Sequence, residues 1–246
     1  MRTRSFLLAA TFFVSDLAAA PDSETLTYSI EWRLIEAGRA KVTRVPAAVN
    51  GNSGSQADLH LESVGLVSRL YKVDDDYRVT LAAGSCTQGI FMKANEGKRR
   101  RETRVTFDGE GRKASYLEQD LVKNSVVLRK EIDIPACVHD VIGGLYALRE
   151  QRLELGHFLD MPFSDGKKSV VAKIEAQERE HLKTPAGAFD TVRYEAFLFN
   201  KVLYNRQARL FVWLTEDDRR LPVQIRIRLG LAVGTITAQL TKEEHQ

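Results

Sequence analysis

From Leu26 to Leu34 the even positions are large and apolar (Leu26, Tyr28, Ile30, Trp32, Leu34), and the odd ones between them are polar (Thr27, Ser29, Glu31, Arg33). A period of two places all five apolar side chains on one face of a strand. The pattern returns at Ala57, Leu59 and Leu61 against Asp58, His60 and Glu62, and at Val126, Leu128, Lys130 and Ile132. It is clear again at Val170, Ala172, Ile174 and Ala176, and at Val223, Ile225, Ile227 and Leu229. Strands with one dry and one wet face belong to an antiparallel sheet, because parallel sheets covered on both sides read as continuous apolar runs.

Turn chemistry separates these segments. Glu36-Ala37-Gly38, Asp108-Gly109-Glu110-Gly111, Thr184-Pro185-Ala186-Gly187 and Glu216-Asp217-Asp218-Arg219 supply proline for a preset φ, or glycine and aspartate for left-handed positions. Ala47 to Ser55 reads as a longer mobile loop. The spacing predicts about ten strands, too many to lie flat without curling. One segment breaks the period: Val138, Val141, Ile142, Leu145 and Leu148 recur at three and four residues, predicting an amphipathic helix from Val138 to about Arg152, ending near Gly156. Gly143-Gly144 inside it points to close packing of helix on sheet, and a shorter helical piece is expected around Leu66 to Lys72. The expected fold is therefore mainly β: a large curved antiparallel sheet or open barrel with one main amphipathic helix packed on it.

The amino end changes the compartment. Met1-Arg2-Thr3-Arg4, an apolar run from Ser5 to Val14, and Leu17-Ala18-Ala19-Ala20 read as an export signal cut near Ala20, with Ala19 as the fallback. Residues 21–246 are then one β-rich domain, periplasmic or secreted. No other apolar run approaches the roughly 20 residues of a membrane span. In an oxidising compartment the two cysteines, Cys86 and Cys137, are expected to form a disulfide.

Composition excludes more than it assigns. Of 246 residues 43% are hydrophobic and 28% charged, as in ordinary globular proteins. The net charge of +3 argues for no nucleic-acid partner. The basic run Lys98-Arg99-Arg100-Arg101 leads into Val105 and Phe107 and reads as the wet face of a strand, with a patch for phosphate or acidic glycan as the alternative. Ala83-Gly84-Ser85-Cys86 lacks the second glycine of a nucleophile elbow. His60, His139, His157, His181 and His245 are scattered, without metal-ligand spacing. Asp74-Asp75-Asp76 lacks the rest of a calcium loop and reads as a solvated turn. No catalytic, metal or cofactor residue is therefore assigned.

Several segments together resemble a family of exported bacterial proteins known as domain of unknown function 3108. They are Leu26 to Trp32 with Ala37-Gly38, Val138-His139-Asp140 through Arg149, Gly156 with Asp165 to Lys168, Thr184 to Phe189, and Trp213-Leu214 through Asp217-Asp218, Arg220 and Pro222-Val223. The resemblance implies a mainly antiparallel envelope domain and no assigned activity. A looser likeness in architecture links it to lipoprotein carriers, whose half-barrel holds acyl chains under a helix. Within the family segments Asp140 is placed to cap the helix. Asp140 and Arg149 read as a structural pair on the sheet surface, or as ligand contacts. Trp213 and Pro222 are expected on opposite sides of a tight acidic turn. Arg220 is expected to pair with Asp217 or Asp218 at the surface. Asp140, Arg149, Trp213, Asp217 and Arg220 are the candidate ligand or partner contacts.

The functional expectation is a noncatalytic envelope protein binding a hydrophobic or amphipathic small ligand in a groove of the sheet. The alternatives are an envelope glycan- or peptide-acting hydrolase with paired carboxylates, and an assembly partner for another envelope protein.

Overall fold

A computed structural model describes residues 23–230 and 233–245. The expected export signal lies outside them. Fourteen strands form one antiparallel sheet: β1 Glu24–Trp32, β2 Ile35–Val49, β3 Asn52–Ser63, β4 Asp74–Leu81, β5 Thr87–Glu96, β6 Arg99–Asp108, β7 Lys113–Asp120, β8 Ser125–Asp133, β9 Phe158–Ser164, β10 Ser169–Thr184, β11 Gly187–Ala196, β12 Ala208–Thr215, β13 Pro222–Leu229 and β14 Thr235–His245. Two helices, α1 (Gly65–Leu70) and α2 (Val141–Arg149), complete the set together with a 3₁₀ turn at Ala83–Ser85. Every strand pairs with its sequence neighbours except at two places. β14 closes back on β1, and β8 and β9 are the two edges, so strand pairing does not close the barrel.

The expectation of about ten strands is corrected to fourteen, and the turns explain the difference. Two-residue hairpins need both central residues in the left-handed region, where Asn-Gly is favoured. Asn50-Gly51 meets this with φ of 50° and 78°, so the expected loop over Ala47 to Ser55 is only this turn between β2 and β3. Arg33 and Leu34 adopt the same geometry, with φ of 50° and 66°, and make the β1–β2 turn without a turn signature. Leu34 thus leaves the apolar row, and Glu36-Ala37-Gly38 falls inside β2. A Cβ on Gly38 would lie 2.6 Å from the Glu62 carbonyl oxygen, so its glycine serves close strand approach. Asp74-Asp75-Asp76 opens β4 rather than forming a turn, and Asp75 is buried, accepting from Asn95 N at 2.7 Å. The turns expected at 108–111, 184–187 and 216–219 stand where predicted.

The edge strand β8 is exposed along almost its whole length. Val126 and Leu128 are therefore not on a dry face as the alternation suggested, because an edge with one neighbour has nothing to bury them against. The segment before α2 ties the edge strand β9 to the start of β5. Val138 O accepts from Thr87 N of β5, while His139 pairs with Phe163 of β9. Those strand-like bonds start the helix at Val141 instead of Val138, and it ends at Arg149 instead of about Arg152. Cys86 and Cys137 are disulfide-bonded with Cα atoms 5.2 Å apart, as expected, fixing this segment to the start of β5.

The described core falls into three clusters. One joins α2 to β9–β12 around Tyr194, Ile174 and Leu214, and another joins β3–β8 to Val138 and Tyr146. The third gathers Leu26, Tyr28, Phe211, Trp213 and Leu240. The long β10–β11 hairpin reaches across to it: Leu182 and Phe189 pack there, and Ala186 N donates to Leu240 O.

Candidate functional site: an apolar groove under a pinned helix

Alternation along the central strands aims one row of side chains at the helix. Leu26, Tyr28 and Ile30 of β1 face inward beside Ala40 and Val42 of β2 and Leu59 and Leu61 of β3. Leu210 and Val212 of β12, Ile225 and Ile227 of β13, and Ile236 and Ala238 of β14 continue the row. Val141, Ile142, Leu145 and Tyr146 of α2 roof it, and Phe199 and Tyr204 enter from the β11–β12 loop. These residues enclose a cavity of about 490 Å³, within the about 300–1,000 Å³ of small-molecule pockets. No lining residue is charged; the polar atoms offered by side chains are the hydroxyls of Tyr28, Tyr146 and Tyr204. Tyr28 donates its own to Pro222 O at 2.8 Å. Burial pushes the Tyr146 phenol up to about 12 and raises Tyr204 further, so both are neutral donors at physiological pH.

Both ends of the roof are pinned. At the amino end Asp140 caps α2 by accepting from Ile142 N and Gly143 N, and also from Thr87 Oγ1 at 2.9 Å and the Tyr77 hydroxyl at 2.8 Å. His139 Nδ1 bonds the Ser85 carbonyl at 2.9 Å. Close contact on the sheet explains the paired glycines: a Cβ on Gly144 would lie 2.3 Å from the Phe163 ring, and one on Gly143 2.8 Å from Thr87 Oγ1. At the carboxyl end Arg149 donates to both oxygens of Glu24, at 2.6 and 2.7 Å, and to Arg219 O. Asp140 and Arg149 therefore do not pair with each other. They hold opposite ends of the helix.

The acidic turn differs from expectation in one residue. Arg219, not Arg220, pairs with Asp217 at 2.7 Å and reaches Glu243 at 2.9 Å. Arg220, with φ 47°, turns inward, is only 5% exposed, and donates to the Tyr194 hydroxyl at 2.9 Å and to Leu148 O at the end of α2. The reason is a register slip between Trp213 and Leu214, which shifts the returning strand by one residue and places Val223 with the Trp213 cluster instead of with Ile225. Trp213 follows cavity-lining Val212 and so lies on the opposite face of the sheet, buried in the cluster that Leu182 and Phe189 of the β10–β11 hairpin join, with Arg226 stacked 5.0 Å from its ring. None of Asp140, Arg149, Trp213, Asp217 and Arg220 lines the cavity. The groove residues carried their signal in the alternation itself, but which face was covered by a helix was not readable from one strand at a time.

Among the described residues one trio has metal-ligand spacing, Glu24, Glu243 and His245. Both oxygens of Glu24 are held by Arg149, and Glu243 serves Arg219 and His245, so a cation would have to displace guanidinium groups.

A family model described as "Protein of unknown function (DUF3108)" matches residues 27–241. The chain belongs to the DUF3108 family. Among solved structures the DUF3108 chain is similar to a β-barrel-like protein of domain of unknown function DUF1849 from Brucella abortus, at 10% identity and a TM-score of 0.57, covering 91% of this chain and 98% of that one. That likeness concerns the fold alone. A DUF1089 family protein from Pseudomonas aeruginosa is matched at 11% identity over 91% of this chain and 94% of that one, with a TM-score of 0.29, too low to bear on the fold. No curated protein matches the chain. No helix among the described residues is long and apolar enough to cross a membrane.

Proposed function

We propose that this DUF3108 protein is a noncatalytic envelope carrier that holds a lipid-like ligand, with its acyl portion in the groove beneath α2. The observation that carries the reading is the cavity: about 490 Å³, open, and lined by aliphatic and aromatic side chains with no charge among them. Each methylene moved from water into such a lining contributes about 0.8 kcal/mol. The tyrosine hydroxyls supply the few polar contacts a headgroup or ester needs. The disulfide supports an oxidising, periplasmic or secreted setting. Asp140, Arg149 and Arg220 then act as positioning residues that keep the roof at a fixed height. Paired carboxylates for hydrolysis find no support in the groove, whose lining includes no acid, and Asp140 at the start of its roof spends both oxygens on the protein's own donors.

Native mass spectrometry of the protein purified from envelope extract should show bound lipid, and dansyl-undecanoate should gain fluorescence on titration into delipidated protein. Ala40→Trp, which fills the groove without adding charge, should weaken that uptake about tenfold or more while the fold is kept. A protein that carries no lipid and takes up no acyl probe would overturn the reading.

A further inference from the structure

The strand directions place three connections of neighbouring strands at one rim of the sheet: the β1–β2 turn, the α1 segment between β3 and β4, and the β13–β14 turn. The rim is apolar at its tips. Leu34 is 94% exposed, Leu70 75% and Leu66 57%. Scattered exposed leucines are ordinary, but these share one rim, and Leu34 stands there at a local cost. Leu34 occupies a left-handed turn position that the same chain fills with glycine in the equivalent β2–β3 turn, and it touches solvent in return. A local rule broken without a compensating contact marks a functional position.

Cationic groups frame these tips. Arg33 and Arg69 are exposed on the rim, and the β5–β6 turn brings in Lys98: Gly97 N donates to Lys72 O at 2.7 Å, and Gly97 packs against the Tyr71 ring. The arginines that follow are engaged within the sheet, Arg99 by Glu96 and Glu118 and Arg101 by Glu118 and Asp120. Among the described residues neither Arg69 nor Lys98 has a carboxylate within 4.0 Å. At the opposite end of the sheet the acids are paired: Glu216 with Arg179, Asp217 and Glu243 with Arg219, Asp218 with Arg152, and Glu244 with Lys242. The groove runs out to the apolar, basic rim: Trp32 pairs with cavity-lining Ile236, and its indole nitrogen donates to Val233 O in the β13–β14 turn.

We propose that this rim docks on an anionic lipid bilayer, with Leu34, Leu66 and Leu70 in the headgroup boundary and the basic side chains against lipid phosphates. Apolar tips supply burial, and nearby lysine and arginine supply attraction to the negative surface. The mouth of the groove then faces the membrane. Docking rests on the rim alone, whereas its use for ligand transfer rests on the carrier reading above.

Trp32 is a built-in reporter, because the chain has only two tryptophans and Trp213 is 1% exposed. The full mature protein is mixed with phosphatidylcholine vesicles containing phosphatidylglycerol, and with vesicles of phosphatidylcholine alone. Co-sedimentation with the anionic vesicles, a blue shift of Trp32 emission and weakening by salt are expected. The double variant Leu34→Glu with Leu70→Glu should bind about tenfold or more weakly. Leu34→Gly, which relieves the strained turn, should melt no lower than wild type and still bind less tightly. Equal binding by wild type and double variant, or no binding to anionic vesicles, would overturn the proposal, as would a self-associating protein whose rim variants become monomeric without any vesicle effect. A protein that copurifies with lipid yet ignores vesicles would sink the docking and leave the carrier reading standing; vesicle binding with no acyl-probe uptake would do the reverse.

Discussion

Arg220 is a cation held out of water by neutral acceptors. Its guanidinium donates to Tyr194 and to the Leu148 carbonyl, where the carboxyl end of α2 presents negative partial charge. A surface Arg220 paired with an aspartate would be worth no more than about 1 kcal/mol. The buried residue changes that expectation: Arg220→Ala should lower unfolding stability by about 2–4 kcal/mol, through a cavity and an unpaired tyrosine hydroxyl. Urea denaturation checks it, and a loss well under about 1 kcal/mol would remove Arg220 from the list of groups holding the helix. The sequence pattern could not choose between Arg219 and Arg220, because both follow the same two aspartates. What decides is the left-handed backbone at Arg220 and the one-residue slip at Leu214, neither of which has a composition signal. Leu34 was misread for the same reason, its turn being built from residues that do not favour turns.

At the scale of elements, strands were legible where both faces had distinct neighbours. β1, β3 and β10 show in their alternation because one side meets the groove or core and the other is more open to water, whereas β13 alternates while its polar side is itself covered, Gln224 being buried. β8 alternates equally well and buries almost nothing, since period two reports a capacity for burial and not a partner. The helix was legible in type and misplaced at both ends. Val138 continues its apolar period yet spends its carbonyl on β5. The glycines of α2 offer a test in which two effects oppose. Alanine at position 144 would favour the isolated helix by about 1 kcal/mol. Against this, the Phe163 ring occupies the space for its Cβ, and overpacking of this kind costs about 1–3 kcal/mol. Gly144→Ala should therefore lower the melting temperature and weaken acyl-probe uptake together, because the roof must lift to admit the methyl group. A variant that melts higher than wild type would show that propensity wins and that the helix is not seated as tightly as the geometry requires.

The whole molecule is a single open sheet whose carboxyls respond to acid with opposite signs. In the β10–β13 half, Glu195 is 4% exposed. Burial pushes its carboxyl up, but hydrogen bonds from Arg209, at 2.6 and 2.7 Å, and from Gln177 outweigh this and hold it below the usual range. Asp217 is likewise held low, its burial outweighed by the bonds from Thr215 and Arg219. Such carboxyls contribute stability that is full above their unfolded pKa, about 4, and is lost as pH falls through the folded value. Asp75, between β4 and β5, is raised, burial outweighing the bond from Asn95 N, so its contribution is present in acid and is lost as pH rises through its folded value. Asp120 and Glu244 are also held low, so four lowered carboxyls against one raised predict a net loss of stability below about pH 4. Glu195→Gln isolates one of them. At neutral pH the variant loses the ionic part of the Arg209 contact, which is half exposed on the arginine side, so a deficit of about 1 kcal/mol or about 2–4 °C is expected. As the pH falls through its folded value, wild-type Glu195 takes up a proton and comes to resemble glutamine. The two melting curves, followed by circular dichroism across that range, should therefore converge; curves that stay parallel would show that Glu195 is not held ionised by the fold.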